Sequence, residues 1–383
     1  MRKKEKSGVI LIVTMWIALA LTGMLLVFAR TVRVHLAISA NTLSEARAEW
    51  IARAGLAYTI SLINSSEGKG FPYPSTSFEA IKIGDGYFWL LNPDYDNSST
   101  PAFGIMDESA KINLNTATPE MLMQLPGMTE ELAAAISDWC ASETMPIGEA
   151  GSEYYLLLDP PYHCKEEKFE TMEELLLVKG SSLSLLFGID TNRNGILDNA
   201  EQKASGTMMG NIEEWRGFSP FITVHSAPGV SSGQGQQQQQ QTQERRPLNT
   251  ININTAPLQV LYCLPELTRE EAESLFAGRP ESATDIEWPL RILSQEKYNA
   301  ILPFIRGDSS QFSADILAVS GDGRAFKRFR AILGIDSQSS SVRVLSWQDL
   351  TGLGWPLSST ILQSLRAGKE PPLTTDPAYS GGI

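Results

Sequence analysis

The stretch Asp190-Thr191-Asn192-Arg193-Asn194-Gly195-Ile196-Leu197-Asp198-Asn199-Ala200-Glu201 sets oxygen-bearing side chains at the offsets of an EF-hand-type loop. Calcium takes six to eight oxygens, and a loop of this kind supplies them from positions 1, 3, 5, 7, 9 and 12. Positions 1, 3 and 5 are Asp190, Asn192 and Asn194, and Gly195 at position 6 permits the sharp turn. Ile196 offers its carbonyl, Leu197 an apolar anchor, and Asp198 binds directly or through water, while Glu201 at position 12 can be bidentate. Asp190, Asp198 and Glu201 set carboxylates against one divalent cation, and Arg193 points to a solvated position. A plain Asn/Gly turn has no need of the Glu at position 12. The flanking segments leave room only for short helices, so the spacing predicts a structural Ca²⁺ rather than a sensor whose helices open.

Other chemistry is thin. His35, His163 and His225 are the only histidines, and no triad order, phosphate loop or HExxH occurs. His163 and Cys164 with Cys140 would make a poorly spaced zinc site, so an enzyme is not expected. Cys140, Cys164 and Cys263 show no CxxC pairing. Outside the cytoplasm a disulfide is allowed, and Cys140–Cys164 is the pairing expected; separate buried thiols are the alternative. The net charge of -13 argues against nucleic acid, which needs clustered Lys and Arg.

The elements that position these residues begin with a long apolar run. A basic leader, Arg2-Lys3-Lys4-Glu5-Lys6, precedes Ser7-Gly8, and no charge occurs from Val9 to Ala29. A helix over that run is about 31 Å long, enough to cross a bilayer core. The leader's charge predicts a cytoplasmic N-terminus, a single pass through the membrane (9–29), and the bulk of the chain outside. A secretory signal peptide would have a shorter core with its cleavage site after it, whereas Ala18-Leu19-Ala20 lies inside the run. A plain signal anchor fits. So does a leader (1–8) that resembles the class III, type IV pilin-like kind, cut after Gly8 so that the helix from Val9 stays in the mature protein.

Beyond the membrane, Leu36, Leu43, Trp50 and Ala57 recur every seven residues, with Ala40, Ala46 and Ala54 near the same side. Arg33, Glu45, Arg47, Glu49 and Arg53 are interleaved, which makes 30–64 an amphipathic helical stem. Ile81–Ile83 and Tyr87–Leu91 read as a hairpin around Gly84-Asp85-Gly86. Lys111-Ile112-Asn113-Leu114-Asn115-Thr116-Ala117 leads into a helix start at Thr118-Pro119-Glu120, a turn at Leu125-Pro126-Gly127, and a second helix capped by Thr129. This helix-hairpin-helix pattern recurs from Asn252-Ile253-Asn254-Thr255-Ala256-Pro257 through Leu264-Pro265 to a helix opened by Thr268, an internal repeat. Glu120, Glu130, Glu131 and Asp138 surround the first copy and would repel phosphate, so it reads as a packing unit. Phe221–His225 reads as a strand, and 230–247, rich in Gln, Ser and Gly, as a disordered loop. Gln311–Val319 and Phe326–Leu333 flank Gly321-Asp322-Gly323 as a hairpin, although the basic second run also suits a helix. A tail, 337–383, follows.

Together these residues resemble the K-type minor pseudopilins of type II secretion systems (GspK, the general secretion pathway protein K family). Gly8 before the apolar helix, the stem, the two Asn-Thr-Ala segments and Leu125-Pro126-Gly127 carry the resemblance. It implies an α+β fold: a pilin-like long helix, a small antiparallel sheet (65–105 and 309–336), and a large inserted helical domain (106–308) containing the repeats. The upper half of the helix would pack on its own head domain and the lower half between subunits. The resemblance also implies cutting after Gly8 and methylation of Val9 by the prepilin peptidase. Most pseudopilins carry Glu at the fifth mature residue, where it can pair with a neighbour's N-terminal amine, and K-type proteins lack it. Here that residue is Val13, which suits a tip subunit with nothing above it, since an unpaired charge in lipid is costly. The mature start at Val9 instead of Phe, the glutamine loop and the tail depart from the family pattern. The calcium loop rests on its own spacing, not on the resemblance.

The function expected is therefore a non-enzymatic assembly protein. With other minor pseudopilins and the major pseudopilin it would start and cap a short periplasmic filament that supports export across the outer membrane. A type IV pilus minor pilin and a membrane-anchored extracytoplasmic binding domain are the alternatives.

Overall fold

A computed structural model describes residues 6–65, 78–93, 101–140, 151–196, 201, 203, 216–226, 249–280, 285–336 and 341–375. Leader residues 1–5, Leu197, Asp198 and the 230–247 loop lie outside them. The first helix, α1, runs Lys6–Ser65, 60 residues without a proline and about 90 Å in length. Gly8 and Val9 lie within its first turns. One span from Val9 is long and apolar enough to cross a membrane.

Strands β1 (Ile81–Ile83) and β2 (Gly86–Leu91) form the expected hairpin. β3 (Met106–Asp107) follows, and the chain then leaves the sheet. The inserted domain begins with β4 (Ile112–Asn113), α2 (Pro119–Leu122), α3 (Glu130–Cys140), α4 (Ser152–Leu156) and α5 (Leu183–Phe187). It continues through β5 (Ile222–Thr223), β6 (Ile251–Asn252), α6 (Leu258–Leu261), α7 (Arg269–Ala277), α8 (Gln295–Ile301) and β7 (Ile305–Arg306). β8 (Gln311–Val319) re-enters the sheet beside β3, and β9 (Phe326–Ile335), β10 (Val342–Asp349) and α9 (Ser359–Arg366) complete the head.

The sheet is antiparallel, in the order β1-β2-β8-β9-β10, with β3 also on β8. Both faces are covered, which is why β2 is buried along its whole length and β8 nearly so. On one face α1 packs Ile51, Ala52 and Ile63 against Phe88, Leu90, Ile316 and Leu333. On the other, Ile361 and Leu365 of α9 meet Trp89, Leu317 and Val319. The segment after Asp336, expected as a tail, thus supplies an edge strand and a covering helix. Its apolar residues (Val342, Val344, Trp347, Ile361, Leu365) are spread among polar ones and conceal this role. The basic run Phe326–Leu333 is a strand, not a helix: its register against β8, from Val319↔Phe326 to Gln311↔Gly334, turns Phe329, Ala331 and Leu333 toward α1 and sets Arg328 and Arg330 on the opposite face.

The stem corrects the sequence pattern. Leu36, Leu43 and Trp50, expected as its apolar face, are 64%, 53% and 71% exposed, and Ala57 is exposed too. The face on the sheet is Ser44, Ala48, Ile51, Ala52, Gly55, Thr59 and Ile63. Ala48 and Ala52 stand two residues from Trp50, about 160° around the helix. Close approach explains the choice of small residues. A Cβ at Gly55 would sit 2.9 Å from Ile316 Cγ2 and 3.0 Å from Phe88 Cδ2, so a bulkier stripe would lift the helix off the sheet.

In the inserted domain the repeat is structural. β4-α2-α3 and β6-α6-α7 each run from a short strand through a four-residue helix and a turn to a longer helix. Thr118 and Thr268 cap helices as expected, accepting from Met121 N and Glu271 N, and Thr129 accepts from Leu132 N. Gly127 and Glu266 occupy corresponding turn positions at φ +69° and +64°. β4 pairs in parallel with β5, and β6 with β7. The two units share one core, with Leu122, Ile136 and Trp139 from the first and Val260, Leu261 and Leu275 from the second. The 221–225 strand shortens to β5.

Candidate functional site

The segment expected to hold a cation follows α5, and its described residues, Asp190 to Ile196, lie against the head. Its own donors fold it. Asp190 accepts from Asn194 N at 3.1 Å and from Gly195 N at 2.8 Å; Asn192 Oδ1 accepts from Asn194 N at 3.0 Å. Asn194 Oδ1 accepts from Ile196 N at 2.8 Å. Arg193 and Gly195 adopt left-handed backbone (φ +54° and +76°), and the close approach of Pro93 (2.5 Å from an added Cβ) leaves glycine the residue that fits at 195.

Glu201 returns to the start of the loop, where its Oε1 accepts from Thr191 N and Oγ1, both at 2.8 Å, and from Asn192 N at 3.3 Å. Asp190, Asn194, Ile196 and Glu201 are all buried. Burial pushes the Asp190 carboxyl up to about 6, with the nearby Glu201 charge adding to the rise against the amide hydrogen bonds. Two buried acids brought together with amide oxygens and a backbone carbonyl are a donor set that a hard divalent cation fits. Arg193 departs from expectation: its guanidinium lies 3.6 Å over the Phe187 ring and pairs with Glu173 at 3.4 Å instead of standing in solvent.

The head grips this loop. Arg328 of β9 is fully buried and donates to the Asn192 and Arg193 carbonyl oxygens (2.9 Å to the latter). Its other N–H groups fork onto Asp315 of β8 at 2.9 and 2.7 Å. Burial alone would raise the Asp315 carboxyl, but the Arg328 and Arg330 charges and hydrogen bonds hold it below the usual range. Asn194 Nδ2 donates to the Pro356 carbonyl at 2.8 Å. Sequence reasoning missed Arg328 and Asp315. The available signal was a lone carboxylate inside the apolar run Ala314–Val319 and an arginine facing it across the hairpin.

A second polar joint ties the insertion to the head at β3. Asp107 accepts from Ser109 N (2.8 Å), Asn252 Nδ2 (2.9 Å), Thr255 Oγ1 (2.5 Å) and Ser309 Oγ. Burial nevertheless raises its carboxyl. Glu108 accepts from Lys111 Nζ (2.6 Å), Ser313 Oγ (2.5 Å) and Thr223 Oγ1. Its burial is outweighed by the Lys111 charge and these bonds, which bring it down to about 2. The Asn-x-Asn-Thr-Ala segments serve this internal scaffold. Asn113 and Asn252 each accept from the amide two residues on, at 2.9 and 3.1 Å. Asn115 pairs with both Phe169 backbone groups, and Asn254 with Trp288 Nε1 and the Gly307 carbonyl. Their polar atoms are consumed inside the protein, which fits packing units.

A cleft of about 430 Å³ separates the two units, with Glu120, Gln124, Tyr262, Glu266 and Arg269 on its walls. Cys140, Cys164 and Cys263 are thiols here. Cys140 Sγ lies 3.8 Å from Asn115 Oδ1, and Cys164 Sγ lies beside the Asp138 and Trp139 carbonyls. The remaining candidate surface is α1 itself: Val9 to Phe28, Val13 among them, projects from the head with its large apolar side chains exposed, and the Leu36-Leu43-Trp50 stripe continues that surface alongside the head.

Two segments match models of the family described as type II secretion system, protein K: residues 107–187, spanning the joint at β3 through α5, and residues 251–293, spanning the second unit. No curated protein matches. Among solved structures, a chain in the crystal structure of the GspK-GspI-GspJ complex from the type 2 secretion system of enterotoxigenic Escherichia coli superposes with a TM-score of 0.51 at 14% identity. The match covers 79% of this chain and 96% of that one, so the two share a fold, α+β with a long first helix, an antiparallel sheet and a helical insertion.

Proposed function

We propose, from the premise that this chain belongs to the type II secretion system protein K family, that it is the minor pseudopilin that helps start the pseudopilus and caps its tip. The observation that carries this is the division of α1. One face of its upper half is spent on the head, the opposite face leaves Leu36, Leu43 and Trp50 bare, and Val9 to Phe28 has no cover at all. A helix exposing this much apolar surface needs lipid below and other helices alongside. In a pseudopilus the lower part would sit in the inner membrane before assembly, and the bare stripe would pack on the helices of other minor pseudopilins and of the major pseudopilin. A partner set like that of the GspK-GspI-GspJ complex fits a tip assembly of this kind.

Three features support capping. Val13 offers no carboxylate to a subunit above. The inserted domain adds bulk that an ordinary pilin head lacks. Both joints hold that bulk firmly on the sheet. Entry into the pathway would follow cutting after Gly8 and methylation of Val9 by the prepilin peptidase, leaving the head in the periplasm.

A bound Ca²⁺ would supply a fixed divalent charge for Asp190, Asn192, Asn194, Ile196 (through its carbonyl), Asp198 and Glu201. Those residues would hold the loop closed against β9 and the Pro356 segment, and the ion's role is structural. The Cys140–Cys164 disulfide is a further proposal for the periplasmic protein; counting free thiols in material recovered from the periplasmic side tests it, one free thiol being expected and three contradicting it.

The test of the assembly surface is a photo-crosslinking amino acid at Leu43 or Trp50 in cells carrying the complete secretion system. Adducts with other minor pseudopilins are expected at both positions. Their absence, with the system secreting normally, would contradict the proposed packing face.

A further inference from the structure

We propose that Arg328, a residue of the head's sheet, positions the cation loop of the inserted domain, so that cation affinity depends on the Arg328–Asp315 pair; this rests on the calcium reading given above. The two residues are diagonal neighbours on β8 and β9, in a register that pairs Asp315↔Arg330 and Leu317↔Arg328, and both side chains have no solvent exposure. A buried ion pair inside a strand hairpin is weak evidence for stability, because desolvating two charges offsets most of their attraction. Its retention here has a geometric use. The guanidinium is a rigid fork with more N–H groups than one carboxylate can engage. Asp315 takes two contacts, and the remaining capacity reaches out of the sheet to the Asn192 and Arg193 carbonyls.

Those carbonyls flank the left-handed turn at Arg193, between the side-chain donors Asn192 and Asn194. Holding both turns the carbonyls toward the sheet and fixes the direction of the neighbouring side chains. A bare guanidinium near a divalent cation would oppose binding. Asp315 offsets its charge, although it shares that carboxylate with the part-exposed Arg330 at 3.3 Å, so the opposition to a cation is reduced while the directed donors are kept. Pro356, accepting from Asn194 Nδ2, and Pro93, against Gly195, hold the same turn from two other parts of the head. The loop is therefore completed by the domain it does not belong to. Groups that orient metal ligands from behind commonly change affinity by about 10- to 100-fold when removed.

The experiment is calcium titration of the full chain in detergent micelles by calorimetry, with thermal unfolding measured in calcium and in chelator. The informative variant replaces both members, Asp315→Leu with Arg328→Met, which removes the donors without leaving either partner alone in the interior; Arg330, whose side chain is 21% exposed, loses its Asp315 contact but keeps access to water. Arg328→Lys, which keeps the charge and loses the fork, serves if the double variant does not fold. Glu108→Gln, at the other joint, is the control. Expected results are saturable binding by the wild type, an affinity about 10- to 100-fold weaker in the pair variant, and a smaller calcium-dependent rise in Tm. Arg328→Lys should show an intermediate loss, and Glu108→Gln a lower Tm in both conditions with unchanged affinity. Wild-type affinity in the pair variant, or in Arg328→Lys, would overturn the positioning role while leaving the calcium site intact. Absence of calcium binding by the folded wild type would overturn the cation reading and this proposal together.

Discussion

At the scale of single residues, the chemistry of the described joints is that of buried oxygen donors. Asp190→Ala with Glu201→Ala removes both described carboxylates of the loop. This variant is expected to lose the calcium-dependent rise in melting temperature that the wild type shows, and a wild type indifferent to chelator would contradict a structural ion. Acid sensitivity belongs at this scale too. Glu108 titrates near 2 in the fold against 4.5 as a free side chain, so its contribution is complete above about pH 4.5 and lost as pH falls through 2. That difference corresponds to about 3 kcal/mol. Asp107 is shifted upward, and its opposing term favours the fold as pH falls. Glu108→Gln should therefore flatten the loss of stability between pH 4.5 and 2, measured by urea unfolding; an unchanged slope would contradict the lowered carboxyl. The turn from Asp190 to Ile196 was legible in the sequence because Asp, Asn and Gly recur at fixed offsets in one short segment; a cation held there is a proposal. Arg328 and Asp315 were not legible, because they approach the turn from strands more than a hundred residues away, and the Asn-Thr-Ala segments revealed their recurrence but not their partners.

At the scale of elements, α1 shows how periodicity can identify a helix and mistake its inner face. The heptad spacing of Leu36, Leu43 and Trp50 marked the helix correctly, and the absence of proline set its length. The sheet selected the smallest residues, because a helix lying on Phe88 and Ile316 has room for Gly55 and little else. Gly55→Leu should destabilise the head by about 1 to 3 kcal/mol, read by thermal unfolding of the detergent-solubilised chain. A change within about 0.5 kcal/mol would contradict the close packing. Trp50→Glu should do the reverse: stability stays within about 0.5 kcal/mol, since its side chain is exposed, while recovery of a complex with other minor pseudopilins falls. Full recovery would contradict the outer stripe as an assembly face. β10 and α9 were hidden for a related reason, since β10 is an edge strand exposed along much of its length and α9 turns only a few apolar residues to the sheet.

At the scale of the whole molecule, an acidic domain of two firmly joined parts rides on a helix that projects far beyond it. The strands that flank the insertion, β3 and β8, are neighbours in the sheet, so the pilin-like head is unbroken by about two hundred residues inserted between them. The family resemblance implied this division; how the parts are locked was not legible, because the locks are side-chain networks between distant segments. Val13→Glu should leave the head folded and reduce secretion by disturbing the tip, and unchanged secretion would contradict capping. The most direct test of the pseudopilin assignment is the mature N-terminus, measured by mass spectrometry after co-expression with a prepilin peptidase. An N-methylated Val9 is the result predicted. A chain left uncut after Gly8, under conditions in which a known prepilin is processed, would contradict it.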